Sequence, residues 1–350
     1  MAAGEGLRVA VIVPAYQAAA TIEKVLTGVP AWVEAIYVID DGSRDDTAER
    51  VRAANDPRVR LLAHGTNLGV GRAMVTGYRH ALRQGLDICV KMDADDQMDP
   101  SYLPDLIRPL VLGRADYAKG NRFHDLEALR GMPTVRRVGN AALSFLLKAA
   151  SGQWHIFDPT NGYTAIHRDA LAALDLMKLH PRYFFESSML VMLGTLDAAV
   201  EDVPIPARYR TERSGLSIGR ALIEFPWLLF RYAGLRVLWR YFVLDFNAVS
   251  LFLVSGVPLI AFGLIFGVYH WIDSVARNVL TPTGTIMLAV LPLILGFQLL
   301  LQALVLDIQN RPQRPLQARP HDLASRADRP ANPADPRDRS DGPPSPRPNG

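Results

Sequence analysis

The sequence predicts an α/β domain with a mostly parallel sheet covered by helices on both faces, followed by amphipathic interfacial helices and two transmembrane helices. Three observations lead there. Short apolar runs bounded by turn residues alternate with helical patterns through the first half of the chain. Basic and aromatic residues mix beyond Tyr209, and two long stretches further on contain no Asp, Glu, Lys or Arg.

Strands are expected in RVAVIVPAY (8–16), EAIYVIDDGS (34–43), RVRLLAH (58–64), DICVKMDAD (87–95) and ADYAKGNR (115–122). Between them TIEKVLTGV (21–29), DDTAERVRAAN (45–55), GRAMVTGYRHALRQG (71–85) and DLIRPLVLG (105–113) read as helices, which gives crossover units and parallel pairing. In such sheets ligands lie beyond the carboxyl ends of the strands. PAY follows the first strand, DDGS the second and DADDQ the fourth, so three chemically loaded segments share one rim.

The stretch VKMDADDQMDP (90–100) crowds Asp93, Asp95, Asp96 and Asp99 together behind an apolar run. Like charges so close repel and lose solvation unless water or a cation neutralises them. Residues two apart on an extended segment face the same way, so Asp93, Asp95 and Gln97 are expected to converge on one ion. Asp96 then points away, and Asp96 and Asp99 act as turn and cap residues. Oxygen ligands alone select a hard cation, Mg²⁺ or Mn²⁺.

In SIGRALIEFPWLLFRYAGLRVLWRYFVLDF (217–246), Arg220, Arg231, Arg236 and Arg240 are interleaved with Trp227, Tyr232, Trp239 and Tyr241. That mixture suits helices lying on an anionic leaflet. Residues 246–272 and 278–306 are free of Asp, Glu, Lys and Arg, and each exceeds the roughly 20 residues that cross a bilayer. Arginine-rich outer flanks around a short connection make a hairpin with both chain ends cytoplasmic. Without charge inside the membrane, the pair reads as an anchor. The Pro- and Arg-rich end has little to bury and is expected to be a disordered tail. The expected organisation is therefore a cytoplasmic domain (1–215), interfacial helices (216–245), a first transmembrane helix (246–272), a short extracytoplasmic loop (273–280), a second transmembrane helix (281–306) and a cytoplasmic tail (307–350).

Several function classes are disfavoured. The single cysteine, Cys89, can form neither an intrachain disulfide nor a cysteine metal cluster. The N-terminal segment lacks a basic start and a long apolar core, so no secretory signal is expected. A net charge of +3 without a basic stripe argues against nucleic acid. Neither H-E-x-x-H nor a phosphate loop of the G-x-x-x-x-G-K-[ST] type occurs.

Taken in order, VPAY, IDDGSRDDT, NLGVGRAM and KMDADDQMDP resemble the nucleotide-sugar half of inverting family 2 glycosyltransferases with the GT-A fold, whose sheet is Rossmann-like. GNRF, MPTVRRVGN and FDPTNGYTAIHRDAL look more narrowly like polyprenyl-phosphate glycosyltransferases, the group of dolichol-phosphate mannose synthase and bacterial undecaprenyl-phosphate sugar transferases. The resemblance implies that Pro14, Ala15 and Tyr16 pack on the nucleotide base and ribose, that Asp40 and Asp41 accept hydrogen bonds from them, and that Asp93, Asp95 and Gln97 form the D-x-D-x-Q metal motif, with Asp93 also on the donor. Where relatives carry a glutamate in PxYNE, this chain has Ala18. Arg122, Arg136 and Arg213 match phosphate-binding positions for the acceptor, with Asn140 and Ser217 as accessory donors. Arg137, about 100° round a helix from Arg136, is expected on the surface.

Asp158 lies where relatives carry a carboxylate proposed as base, and Asp158 and Asp95 are the expected catalytic pair. A phosphate monoester, however, loses its second proton near about pH 6, so Asp158 is as well suited to orienting donor or metal shell. Glu186 is a further candidate at a helix start. The implied reaction is inverting transfer of one sugar from a nucleoside-diphosphate sugar to a polyprenyl phosphate at the inner membrane, for cell-envelope glycan. The bacterial likeness favours uracil over guanine, and family members suggest self-association. A processive polysaccharide synthase would be expected to show Q-x-x-R-W and more membrane spans; a non-catalytic membrane scaffold would not need DADDQ and the arginines.

Overall fold

A computed structural model describes residues 6–122, 134–206, 218–310, 312 and 314–318. One sheet organises the first two hundred residues. Its strands are β1 (Val9–Ala15), β2 (Ala35–Asp40), β3 (Val59–Ala63), β4 (Ile88–Lys91), β5 (Tyr117–Asn121), β6 (Thr164–His167) and β7 (Val200–Pro204). They lie in the order β3-β2-β1-β4-β6-β5-β7. All ladders are parallel except those of β6, which runs antiparallel to both β4 and β5. The helices are α1 (Ile22–Gly28), α2 (Thr47–Ala53), α3 (Val70–Arg83), α4 (Leu103–Val111), α5 (Thr134–Ser151), α6 (Arg168–Ala173), α7 (Phe185–Thr195), α8 (Ile218–Leu238), α9 (Ala248–Arg277) and α10 (Thr283–Gln309).

The continuous apolar reading of β1 and β4 follows from burial on both faces. Alternation along β1 sends Val11 and Val13 into one core with Val38, Val90 and Leu106. Ala10 and Ile12 enter the opposite core with Ile39, Met74, Tyr78 and Met189. Because β1 has β2 on one side and β4 on the other, both parallel to it, the order in which strands are added reverses beside it. A crevice opens there above the carboxyl ends, the place such sheets bind ligands.

The C-terminal hairpin differs in chemistry. Asn247 caps α9 by accepting from the Val249 amide at 2.9 Å while Ser250 accepts from the Asn247 amide at 3.0 Å. The left-handed Asn278 ends it at φ 54°. Close packing of α9 on α10 depends on glycine: a Cβ on Gly296 would stand 2.8 Å from the Gly256 carbonyl oxygen. The outward faces expose Ile265, Trp271, Ile294 and Phe297 by 60–72%. Helices of 30 and 27 residues with that surface are long and apolar enough to cross a membrane.

Two boundaries and one side chain differ from expectation. The first long helix runs on to Arg277, with Asp273 and Arg277 paired at 2.8 Å on its last turns. The tail, expected from residue 307, begins later: α10 reaches Gln309, Asp307 is buried, and the Leu316 amide donates to Asp116 at 2.9 Å. Arg236, expected at the interface, is 5% exposed. Residues 319–350 lie outside the described residues.

Candidate active site

The loop after β1 is pinned by side chains from the loop after β2. The amides of Gln17, Ala18 and Ala19 donate to Ser43 Oγ at 2.9 Å, Thr47 Oγ1 at 2.9 Å and Asp45 Oδ2 at 3.1 Å. This holds Pro14, Ala15 and Tyr16 on the wall of a cavity of about 450 Å³ that Asp41, Asn67, Lys91, Asp93 and Asp95 also line. Tyr16 stands at the mouth, 47% exposed. Asp41 accepts from the Leu68 and Gly69 amides at 2.9 and 2.7 Å and touches His64 Nδ1 at 2.7 Å, which folds the 64–69 loop against the cavity. Its neighbour Asp40, expected on the nucleotide as well, stands behind the wall, buried, accepting from the Ser43 amide at 3.0 Å.

A second cavity, of about 390 Å³, adjoins the first. Asp93, Asp95 and Gln97 all line it, together with Arg122, Asn161 and, at its apolar end, Leu143 and Phe225. The two cavities share one wall: Asp93, Asp95, Tyr183 and Glu186 line both. Asp93, Asp95 and Gln97 reach this cavity from a turn and not from the extended segment expected. Residues 94–95 form a turn and Asp96 is left-handed at φ 58°. The buried Asp96 carboxylate pairs with Lys24 on α1 at 2.6 Å, anchoring that turn away from the cavity, and Asp99 caps Ser101.

Lys91, which the sequence reading passed over, joins the shared wall together. Its buried ammonium lies 2.6 Å from Asp93 Oδ1, 3.1 Å from Glu186 Oε1 and 3.4 Å from the Gly162 carbonyl. Burial alone would lower its pKa, but the two carboxylates outweigh that and hold it above the ordinary value. Asp93 thus has one oxygen on Lys91, while its Oδ2 borders space kept open by glycine: a Cβ on Gly162 would come within 2.8 Å of it.

Among the described residues no three His, Cys, Asp or Glu side chains cluster as a metal cage. Two carboxylates and an amide oxygen beside a cavity are instead what Mg²⁺ needs when substrate phosphates complete its shell. Asp93, Asp95 and Gln97 fit such an ion.

Asp158 and Arg122, assigned different roles from the sequence, form one fully buried-to-surface ion pair. Arg122 Nε donates to Asp158 Oδ2 at 2.7 Å and Nη2 to Oδ1 at 3.2 Å, while Thr160 Oγ1 adds a bond to Oδ1 at 3.2 Å. Asp158 has no exposed surface, whereas the Arg122 side chain is 37% exposed. The carboxylate therefore orients a guanidinium at the second cavity. Arg136 and Asn140 lie on α5 with side chains outside the described residues, as does that of Arg137; Arg213 and Ser217 lie outside them altogether.

Behind Asp158, Lys119 donates to the Asn161 carbonyl oxygen, and burial pushes its ammonium down to about 8. Asp202 accepts from the Phe157 amide at 2.6 Å, but its Oδ1 has no hydrogen-bond partner among the described residues. Burial raises its carboxyl to about 6 from an ordinary 3.8. A raised folded-state pKa stabilises fully below the unfolded value, and the benefit is lost as pH rises through about 6. Unfolding free energy is therefore expected to fall by about 2 kcal/mol between pH 4 and 7. Asp202→Asn should flatten that part of a denaturation-versus-pH profile.

Comparisons with known proteins identify the family. The family model described as glycosyl transferase family 2 matches residues 10–175. An undecaprenyl-phosphate mannosyltransferase of Micrococcus luteus is 32% identical over 243 residues, covering 66% of this chain and 98% of that one. Polyprenol monophosphomannose synthase of Mycolicibacterium smegmatis is 31% identical over 201 residues, 54% of this chain and 74% of its own length. Among solved structures, glucosyl-3-phosphoglycerate synthase from Mycobacterium tuberculosis in complex with uridine-diphosphate aligns with a TM-score of 0.52 at 24% identity, covering 67% of this chain and 82% of that one. That last likeness is one of fold.

Proposed function

The chain belongs to glycosyl transferase family 2, and on that premise we propose that it moves one sugar from a nucleoside-diphosphate sugar, with uracil the favoured base, to a polyprenyl phosphate in the inner membrane. The product is a lipid-linked monosaccharide for envelope glycan. One observation supports this above the others: two cavities meet at a single carboxylate-lined wall of Asp93, Asp95 and Glu186. Inversion requires the acceptor to attack the face of C1 opposite the departing diphosphate, so donor and acceptor must reach one point from different sides, which two cavities that meet at Asp93, Asp95 and Glu186 allow.

In this reading Pro14, Ala15 and Tyr16 hold the nucleoside, and Asp41 shapes the loop that covers it. Arg122, aimed by Asp158, receives the acceptor phosphate with the bidentate geometry guanidinium offers. The acceptor oxygen is mostly deprotonated at neutral pH; it bonds to C1 as the C1–oxygen bond to the diphosphate breaks, and no protein base is required. Asp93, Asp95 and Gln97 would hold Mg²⁺ or Mn²⁺, which when bound supplies Lewis-acid stabilisation of the charge developing on the leaving diphosphate. Leu143 and Phe225 give the acceptor's hydrocarbon an apolar way out of the second cavity.

The hairpin of α9 and α10 anchors the enzyme where its acceptor resides. Docking of Leu316 and Gln317 on Asp116 supports a topology in which both hairpin ends lie on the side of the sheet domain; the arginine-rich flanks make that side cytoplasmic. The test is a screen of radiolabelled UDP- and GDP-sugars against purified protein in detergent with a polyprenyl phosphate and Mn²⁺ or Mg²⁺. A lipid-linked monosaccharide is expected. Formation of polymer, or no lipid product with any donor, would overturn the proposal.

A further inference from the structure

A carboxylate at the end of an otherwise uncharged helix has an unusual set of partners. Asp307, two residues before α10 ends, is 8% exposed. Its Oδ1 accepts from Arg236 Nη1 at 2.9 Å and from the Tyr241 hydroxyl. Its Oδ2 accepts from Arg236 Nη2 at 3.1 Å and from Trp154 Nε1 at 2.9 Å. The four donors come from three places: α8, the π-helical turn Trp239–Leu244 that follows it, and the loop after α5. Arg236 is built into a slot. A Cβ on Gly152, itself at φ 70°, would stand 2.3 Å from Arg236 Nη1, and Arg236 Nη2 also donates to the Ala149 carbonyl in the last turn of α5 at 3.2 Å.

Burying an ion pair costs desolvation that its attraction seldom outweighs, so an apolar pair would serve stability at least as well. What this arrangement provides is fixed geometry between elements. The helix it grips, α5, carries Arg136 and Asn140 towards its other end, about 20 Å away at 1.5 Å per residue. Resting on the reading that the acceptor is a polyprenyl phosphate, we propose that Asp307 is a positioning residue for that acceptor: through Arg236 it fixes α5 to the membrane hairpin, and so sets the acceptor-binding end of α5 relative to the plane in which the lipid headgroup lies. A second clasp on the same exit holds the chain beyond α10, where Asp116 accepts from the Leu316 and Gln317 amides at 2.9 and 3.3 Å.

The test uses the full chain in lipid nanodiscs. Asp307→Asn alone strands a buried guanidinium, so the informative protein is the double variant Asp307→Asn with Arg236→Gln. It is expected to unfold within a few degrees of the parent, to keep its KM for nucleotide sugar, and to raise KM for a long-chain polyprenyl phosphate about tenfold. Turnover of a short, water-dispersed prenyl phosphate should be unchanged. Equal loss on both acceptors, or failure of the double variant to fold, would make the contact a matter of stability alone, and no loss on either would show that it positions nothing; each overturns the proposal. Spin labels on Gly139→Cys and Leu280→Cys report the same coupling without any transfer assay; Cys89 is buried and does not compete for label. A narrow distance distribution in the parent that broadens in the double variant is expected, and equal widths would refute the coupling. Should the parent transfer sugar to neither acceptor, the proposed reaction fails, and the distance measurement still decides this inference.

Discussion

Asp95→Ala is expected to lower turnover by about 10³-fold, roughly 4 kcal/mol of transition-state stabilisation, while leaving the unfolding midpoint almost where it was. The side chain is half-buried and accepts the nearby Gln97 amide at 3.1 Å. Its neighbour provides the internal control. Asp96 is buried, left-handed and paired with Lys24, yet it faces away from both cavities. Asp96→Ala should therefore lose about 1 kcal/mol of stability and retain most turnover. Titration calorimetry adds a readout independent of transfer, because binding of nucleoside diphosphate should become insensitive to Mn²⁺ in Asp95→Ala and remain sensitive in Asp96→Ala. Asp95→Ala turning over at a tenth of the parent rate or more would remove it from the site.

The readings that held and those that shifted divide along chain distance. Segments at strand ends were legible because their chemistry and their placement are both local: PAY, DDGS and DADDQ follow apolar runs directly, and the sheet then brings their ends to one rim. By contrast, β6 is four residues long, and although Asn161-Gly162 marks a turn before it, TAIH gave no hint that it would insert antiparallel between β4 and β5. The helix α7 is apolar nearly all round and shows no periodicity to read. Contacts between distant residues were the least visible. Arg122 and Asp158 read as residues of separate roles because nothing in a sequence says that side chains 36 positions apart share two hydrogen bonds. Arg236 looked like its interfacial neighbours, since arginine among tryptophans has the same composition whether it meets lipid headgroups or a buried carboxylate on another helix.

Lys91→Met is expected to damage both stability and chemistry, and the reason is electrostatic. The ammonium is buried between Asp93 at 2.6 Å and Glu186 at 3.1 Å. Both carboxylates line both cavities, and methionine has nearly the same volume, so the substitution isolates the charge. Removing one partner of a buried charge cluster costs about 3 kcal/mol, because the remaining charges keep their desolvation and gain mutual repulsion. Two carboxylates left facing each other also lose the contact that fixes their rotamers, and turnover at saturating Mn²⁺ should fall about 10- to 100-fold. The discriminating measurement is thermal unfolding with and without Mn²⁺. A site stripped of its internal cation is more negative, so added divalent ion should raise the midpoint more in Lys91→Met than in the parent. A variant as stable as the parent, with the same response to Mn²⁺, would mean that Asp93 and Glu186 do not need the ammonium, and that the shared wall is held by something other than the charge at its centre.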